Sequence, residues 1–95
     1  MPAYLIAEIE VTDPVAYEGY KKLTPAAIAA YGGRFLVRGG EVETKEGGWT
    51  PSRLVVVEFA SLAQARKFYA SQEYAPALAI RLKAAKSRLL LADGA

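Results

Sequence analysis

The run Leu54-Val55-Val56-Val57 is apolar at every position, so however this stretch pleats it presents hydrocarbon on both faces. It lies in a β-branched segment, Arg53 to Phe59, that reads as the strongest strand of the chain. A sheet open to water on one side alternates apolar and polar residues, and this strand does not. The chain has 95 residues, enough for a single domain spanning 1–95. By area scaling, a monomer of this size hides only about 64% of its unfolded surface. A short chain therefore has to cover two faces of a sheet.

The remaining elements follow from local pattern. Ala3 to Val11 reads as a strand, apolar at Leu5, Ala7, Ile9 and Val11. Asp13-Pro14 starts a helix, the carboxylate accepting from free amides and the proline losing no bond at the first helical position. Tyr17, Tyr20, Leu23, Ile28 and Tyr31 keep helical spacing; Thr24-Pro25 predicts a kink or two abutting helices, and Gly32-Gly33 the end. Arg34 to Arg38 is a second strand, with a bulge or bend at Gly39-Gly40 and extended chain from Glu41 to Lys45. Ser61-Leu62-Ala63-Gln64 fits a capping box opening a helix to about Ser71. A further helical stretch runs to Ala85, and Ser87 to Ala92 is the last strand. The order is βαββαβ, an α+β, ferredoxin-like sandwich: one antiparallel sheet with helices on one face.

Strand parity divides the sheet. Leu5, Ala7, Ile9 and Val11, Phe35 and Val37, and Val55, Val57 and Phe59 suit the helix-covered side. The other side carries Ile6, Leu36, Leu54 and Val56, although no helix is left to cover it. A symmetric homodimer with its two sheets facing each other meets that demand.

Composition narrows the chemistry. With neither Cys nor His there is no disulfide, no thiolate nucleophile and no imidazole base or ligand. The 12 Lys and Arg against 10 Asp and Glu give a net charge of +2, with acids gathered in the first strand and first helix and bases after Ser61. Without an Arg-rich run or an RNA-binding aromatic signature, this reads as an acidic first strand beside a basic last one, not as a nucleic-acid or lipid surface. No signal peptide or membrane-length apolar run is visible, so a cytoplasmic location is expected. Gly39-Gly40 and Gly47-Gly48 lack the context of a phosphate loop, and Ser61 and Ser71 read as helix caps. Glu8 and Glu10 are flanked by apolar residues, so no metal site is expected, and no cofactor is implied.

Two groups of residues remain as candidates. Glu8, Glu58, Arg34 and Arg38 share the partner-facing side by parity. In one reading they are ion pairs that fix strand and subunit register. In the other, Arg34 and Arg38 clamp a carboxylate while Glu8 or Glu58, its pKa raised by apolar surroundings, is the general base. The second group is Tyr17, Tyr20 and Tyr69, which can line a cavity between helices and sheet and orient an aromatic ligand.

Ala3-Tyr4-Leu5-Ile6-Ala7-Glu8, Asp13-Pro14-Val15-Ala16-Tyr17 and above all Tyr31-Gly32-Gly33-Arg34-Phe35-Leu36-Val37-Arg38-Gly39-Gly40 resemble a family of small bacterial proteins. That family is a domain of unknown function in the dimeric α+β barrel superfamily. Arg53 to Phe59 and Tyr69…Glu73-Tyr74 match it too, so the resemblance spans nearly the whole chain. It implies a ferredoxin-like subunit paired sheet to sheet, and no particular activity. Superfamily relatives include cofactor-free monooxygenases, muconolactone isomerases, haem-degrading enzymes and chlorite dismutases; those with a His axial ligand are poor guides for a chain without His. The functional expectation is a homodimer with a pocket for a small acidic or aromatic metabolite, either a cofactor-independent monooxygenase or isomerase. The alternative is a non-catalytic binder or a purely structural dimer.

Overall fold

Asp13 turns the first strand into the first helix: its Oδ1 accepts from the Ala16 N–H at 3.1 Å, and Pro14 takes the first helical position. In the computed structural model, which describes residues 1–95, seven elements follow. They are β1 (Ala3–Val11), α1 (Pro14–Ala30), β2 (Arg34–Arg38), β3 (Leu54–Phe59), α2 (Leu62–Tyr69), α3 (Ala75–Ala84) and β4 (Ala85–Asp93). The sheet order is β2-β3-β1-β4, antiparallel throughout. This is the ferredoxin-like α+β arrangement, with helices on one face only.

The core lies between the layers. Leu5, Ala7 and Ile9 of β1 and Val55, Val57 and Phe59 of β3 are buried there, as parity requires. Phe68 stacks on Phe59 at 5.1 Å and on Tyr74 at 4.5 Å between centroids, tying α2 and its following turn to the sheet. The molecule measures 34 × 32 × 17 Å, a slab of two layers. Its bare face presents Ile6, Leu54 and Val56, half-buried, with Leu36 46% and Leu90 56% exposed.

Several local expectations need correction. Of the two alternatives at Thr24-Pro25, two abutting helices are not formed: α1 passes through Pro25 as one helix, with the Thr24 hydroxyl donating to the Tyr20 carbonyl at 2.6 Å. Ser61 caps α2 by accepting from the Gln64 N–H, but the Gln64 side chain donates to the Tyr31 carbonyl at 3.0 Å, so the box is half formed. After Ser71 the chain makes a turn before α3. The buried Ser71 hydroxyl spans it, donating to the Phe68 carbonyl and accepting from the Tyr74 N–H. β4 begins at Ala85, directly after α3, two residues before the expected start. Glu41 to Lys45 form no strand: Gly39, at φ +74°, donates to the Leu54 carbonyl at 2.9 Å, and the chain then leaves the sheet.

The correction with most consequence is in β2. Arg34 and Phe35 pair with Glu58 and Val57, but Val37 then faces Val56 and Arg38 faces Val55. Leu36 is the extra residue of a β-bulge, and one extra residue reverses every side chain beyond it. Val37 therefore joins the bare face and Arg38 the helix side. Arg34 and Arg38 do not share a face, and the clamp expected from their spacing is not formed.

Candidate functional site

On the bare face the charged residues meet in cross-strand register. Glu58 lies opposite Arg34, and their ion pair closes at 2.8 Å (Arg34 Nε to Glu58 Oε1). Glu8 lies opposite Arg88 of β4, which donates from Nε at 2.7 Å and Nη2 at 2.6 Å to the same oxygen. Trp49, in the segment between β2 and β3, donates its indole N–H to the other Glu8 oxygen at 2.8 Å. The Trp49 and Arg88 hydrogen bonds hold the Glu8 carboxyl below its ordinary value near 4.5, against a smaller opposing effect of burial. An elevated Glu8 pKa, as a general base at neutral pH would need, is thus the opposite of what the surroundings produce. A shallow depression of about 310 Å³ lies beneath Trp49, bordered by Ile6, Glu8, Leu54, Arg88 and Leu90.

A second concavity lies between the layers. α1 contributes Tyr17, Tyr20 and Lys21, β2 contributes Phe35 and Arg38, and Arg53, just before β3, closes the side. The tyrosines fall on one stripe of α1 because three residues make nearly one helical turn; their rings lie 5.2 Å apart. The Tyr20 and Tyr74 hydroxyls hydrogen-bond at 2.9 Å, and burial pushes the Tyr17 and Tyr20 hydroxyls up, so both stay neutral near pH 7. The Arg38 guanidinium covers the Phe35 ring at 4.4 Å, and that of Arg53 stands 5.9 Å from the Tyr17 centroid. No Asp or Glu lines the cleft. Its volume is about 30 Å³, room for about two water molecules.

Of the residues singled out from sequence, Tyr17, Tyr20 and Arg38 meet in this cleft, while Glu8, Glu58 and Arg34 lie across the sheet on the bare face. Tyr69 is not in the lining; it packs on Tyr74 at 5.8 Å. Sequence reasoning missed Arg53 and Tyr74. Arg53 was legible, because it shares the parity of Val55 and Val57 and hence their face. Tyr74 was not, since it is brought in by the turn between α2 and α3. No three acidic side chains gather where a metal ion could be held, and no helix is long and apolar enough to cross a membrane.

Fold and site together define a two-layer ferredoxin-like protein with one covered sheet face, one bare face and a basic, tyrosine-walled cleft between the layers. The chain belongs to the DUF1330 family, a domain of unknown function, whose profile matches residues 2–95. No curated protein matches its sequence. Among solved structures it is similar to a Rhodopseudomonas palustris protein of unknown function, with TM-score 0.74 and 17% identity over 99% of this chain and 82% of that one. It is also similar to SnoaB, a cofactor-independent oxygenase from Streptomyces nogalater, with TM-score 0.70 and 16% identity over 99% and 93%. A dimeric ferredoxin-like protein of unknown function from Bacteroides fragilis aligns with TM-score 0.64 and 14% identity over 98% and 96%. Identities this low carry the fold alone.

Proposed function

We propose that the protein is a homodimer, paired sheet to sheet, that binds a small acidic or aromatic metabolite in the cleft between helices and sheet. The observation carrying this reading is the cleft itself: tyrosine and phenylalanine walls under a basic rim, with no carboxylate in the lining. Pockets for small organic molecules are built in this way, from apolar walls and a few polar groups that orient the ligand. As it stands the cleft is narrow, so a ligand enters by displacing the exposed Arg38 side chain. Dimerisation is supported by the apolar residues left bare on the opposite face and by the dimeric Bacteroides fragilis neighbour. In this reading Glu8 and Glu58 serve register through their arginines and take no part in the cleft.

The test is a thermal-shift screen of acidic and aromatic metabolites, followed by backbone NMR with each hit. Hits are expected to move the amides of residues 17–21 and 35–38. Perturbation confined to the bare face would overturn the cleft assignment. Turnover of a bound compound would make the protein a cofactor-independent monooxygenase or isomerase; binding without turnover makes it a carrier or sensor.

A further inference from the structure

We propose that the cleft selects planar organic acids: the ligand's carboxylate sits against Arg53 and Arg38, and its ring takes the face of Phe35 that the Arg38 guanidinium now covers. This rests on the cleft being the ligand site, and adds the class of ligand and the residues that read its charge.

Three observations point to an anion. Arg38 and Arg53 take part in none of the ion pairs of the chain, whereas Lys21 on the same rim is held by Glu18 at 2.9 Å. The Arg53 Nε is fully buried and has no hydrogen-bond partner. A buried charged donor without an acceptor is destabilising, and a carboxylate satisfies it with a charge-assisted bond. Behind the tyrosines lies Arg81, 3% exposed, beside Tyr74, Tyr20 and Tyr69 and also without a carboxylate. The positive charge reaching the cleft is therefore uncompensated from two sides.

Arg53 is also held ready. Its carbonyl accepts from the Ile9 N–H at 2.8 Å, which anchors the backbone to β1. Its guanidinium has Tyr17 on one side and the Gly39 backbone on the other, where a Cβ would lie 2.7 Å from Arg53 Cζ. Gly39 has φ +74° and no side chain, so the guanidinium can lie against its backbone, and a planar fork packed between Tyr17 and Gly39 has less freedom to lose when it takes up a carboxylate. The ring position follows from Arg38. A flat cation already stacks on Phe35, it is exposed, and moving it breaks no ion pair. An aromatic ring fits the same stacking site, and the displaced guanidinium stays within the rim to meet the carboxylate.

Benzoate and its neutral isostere benzamide separate charge reading from cleft binding in isothermal titration calorimetry. The wild type is expected to bind benzoate at least about tenfold more tightly. Arg53→Gln and Arg38→Gln should each remove most of that preference, read as the ratio of benzoate to benzamide affinity within the same variant, and Arg53→Lys should restore part of it. Arg66→Gln, which removes the same charge from an exposed site on α2, should bind like the wild type. Circular dichroism checks the fold of Arg53→Gln, and Arg38→Gln, at an exposed side chain, repeats the test without that concern. Equal wild-type affinity for both probes, or a preference that survives in both glutamine variants, overturns the anion seat alone. Failure of the wild type to bind either probe overturns the cleft reading and this inference with it.

Discussion

Glu8 accepts from Trp49 on one oxygen and from Arg88 on the other, so its charged form is favoured over its protonated form in the folded chain. A carboxyl whose folded pKa is depressed contributes stability that is fully present above the unfolded value and is lost as pH falls through the folded one. The contribution of Glu8 is thus complete at neutral pH and fades in acid, below the ordinary value near 4.5. Trp49→Phe removes the indole hydrogen bond to Glu8 and keeps an aromatic ring in place. In a carboxyl NMR titration of this variant, the Glu8 pKa is expected to rise toward its ordinary value, and acid unfolding should begin at higher pH. An unchanged Glu8 titration would mean that Arg88 alone holds the charge. The face of Glu8 was legible from parity, but its partner was not. Arg88 lies far along the chain, and only the pairing of β1 with β4 brings the two residues opposite each other.

At the scale of elements, the chain signals its strands and helices more clearly than the joints between them. β1, β3 and the start of α1 lie where alternation and the Asp13-Pro14 cap put them. β2 departs at Leu36, because a bulge depends on how two strands pair and has no local mark in Arg34 to Arg38. That single residue decides that Arg38 borders the cleft, so the site was less legible than the fold around it. The corner between α1 and β2 is set differently, by space. A Cβ at Gly33 would lie 2.7 Å from Phe59 Cε1 and 2.8 Å from Ile28 Cγ2, with both neighbours in the core. Gly33→Ala is therefore expected to destabilise by about 1–3 kcal/mol through overpacking. Gly32→Ala, where φ is +72° and nothing lies within 4 Å, should cost about 1–2 kcal/mol through backbone strain alone. Urea denaturation measures both, and only Gly33→Ala should be relieved by Phe59→Leu in the same chain. A Gly33→Ala midpoint equal to wild type would show that the corner has room to spare.

For the whole molecule, the decisive fact is that two layers have been used and one sheet face is still bare. The accessible surface is 5931 Å², against about 5,300 Å² expected for a compact monomer of this mass. A second copy laid sheet to sheet would bury Leu90, Leu36 and Val56 and enclose the Glu8–Arg88 and Arg34–Glu58 pairs. Those pairs are already satisfied within one chain, so association would not strand a charge. Light scattering at micromolar concentration is expected to give twice the 10.2 kDa chain mass, and a monomeric mass would overturn the dimer. Leu90→Glu tests the face directly. Leu90 is exposed in the single chain, so the substitution should leave folding within about 0.5 kcal/mol. In the dimer it would bury an unpaired carboxylate in each subunit, which costs several kcal/mol and should weaken association at least about 100-fold. The cleft lies on the other side of the sheet, so the resulting monomer should still bind whatever the wild type binds there. Loss of binding together with loss of the dimer would move the ligand to the interface, into the depression under Trp49, and would return Glu8 to the site.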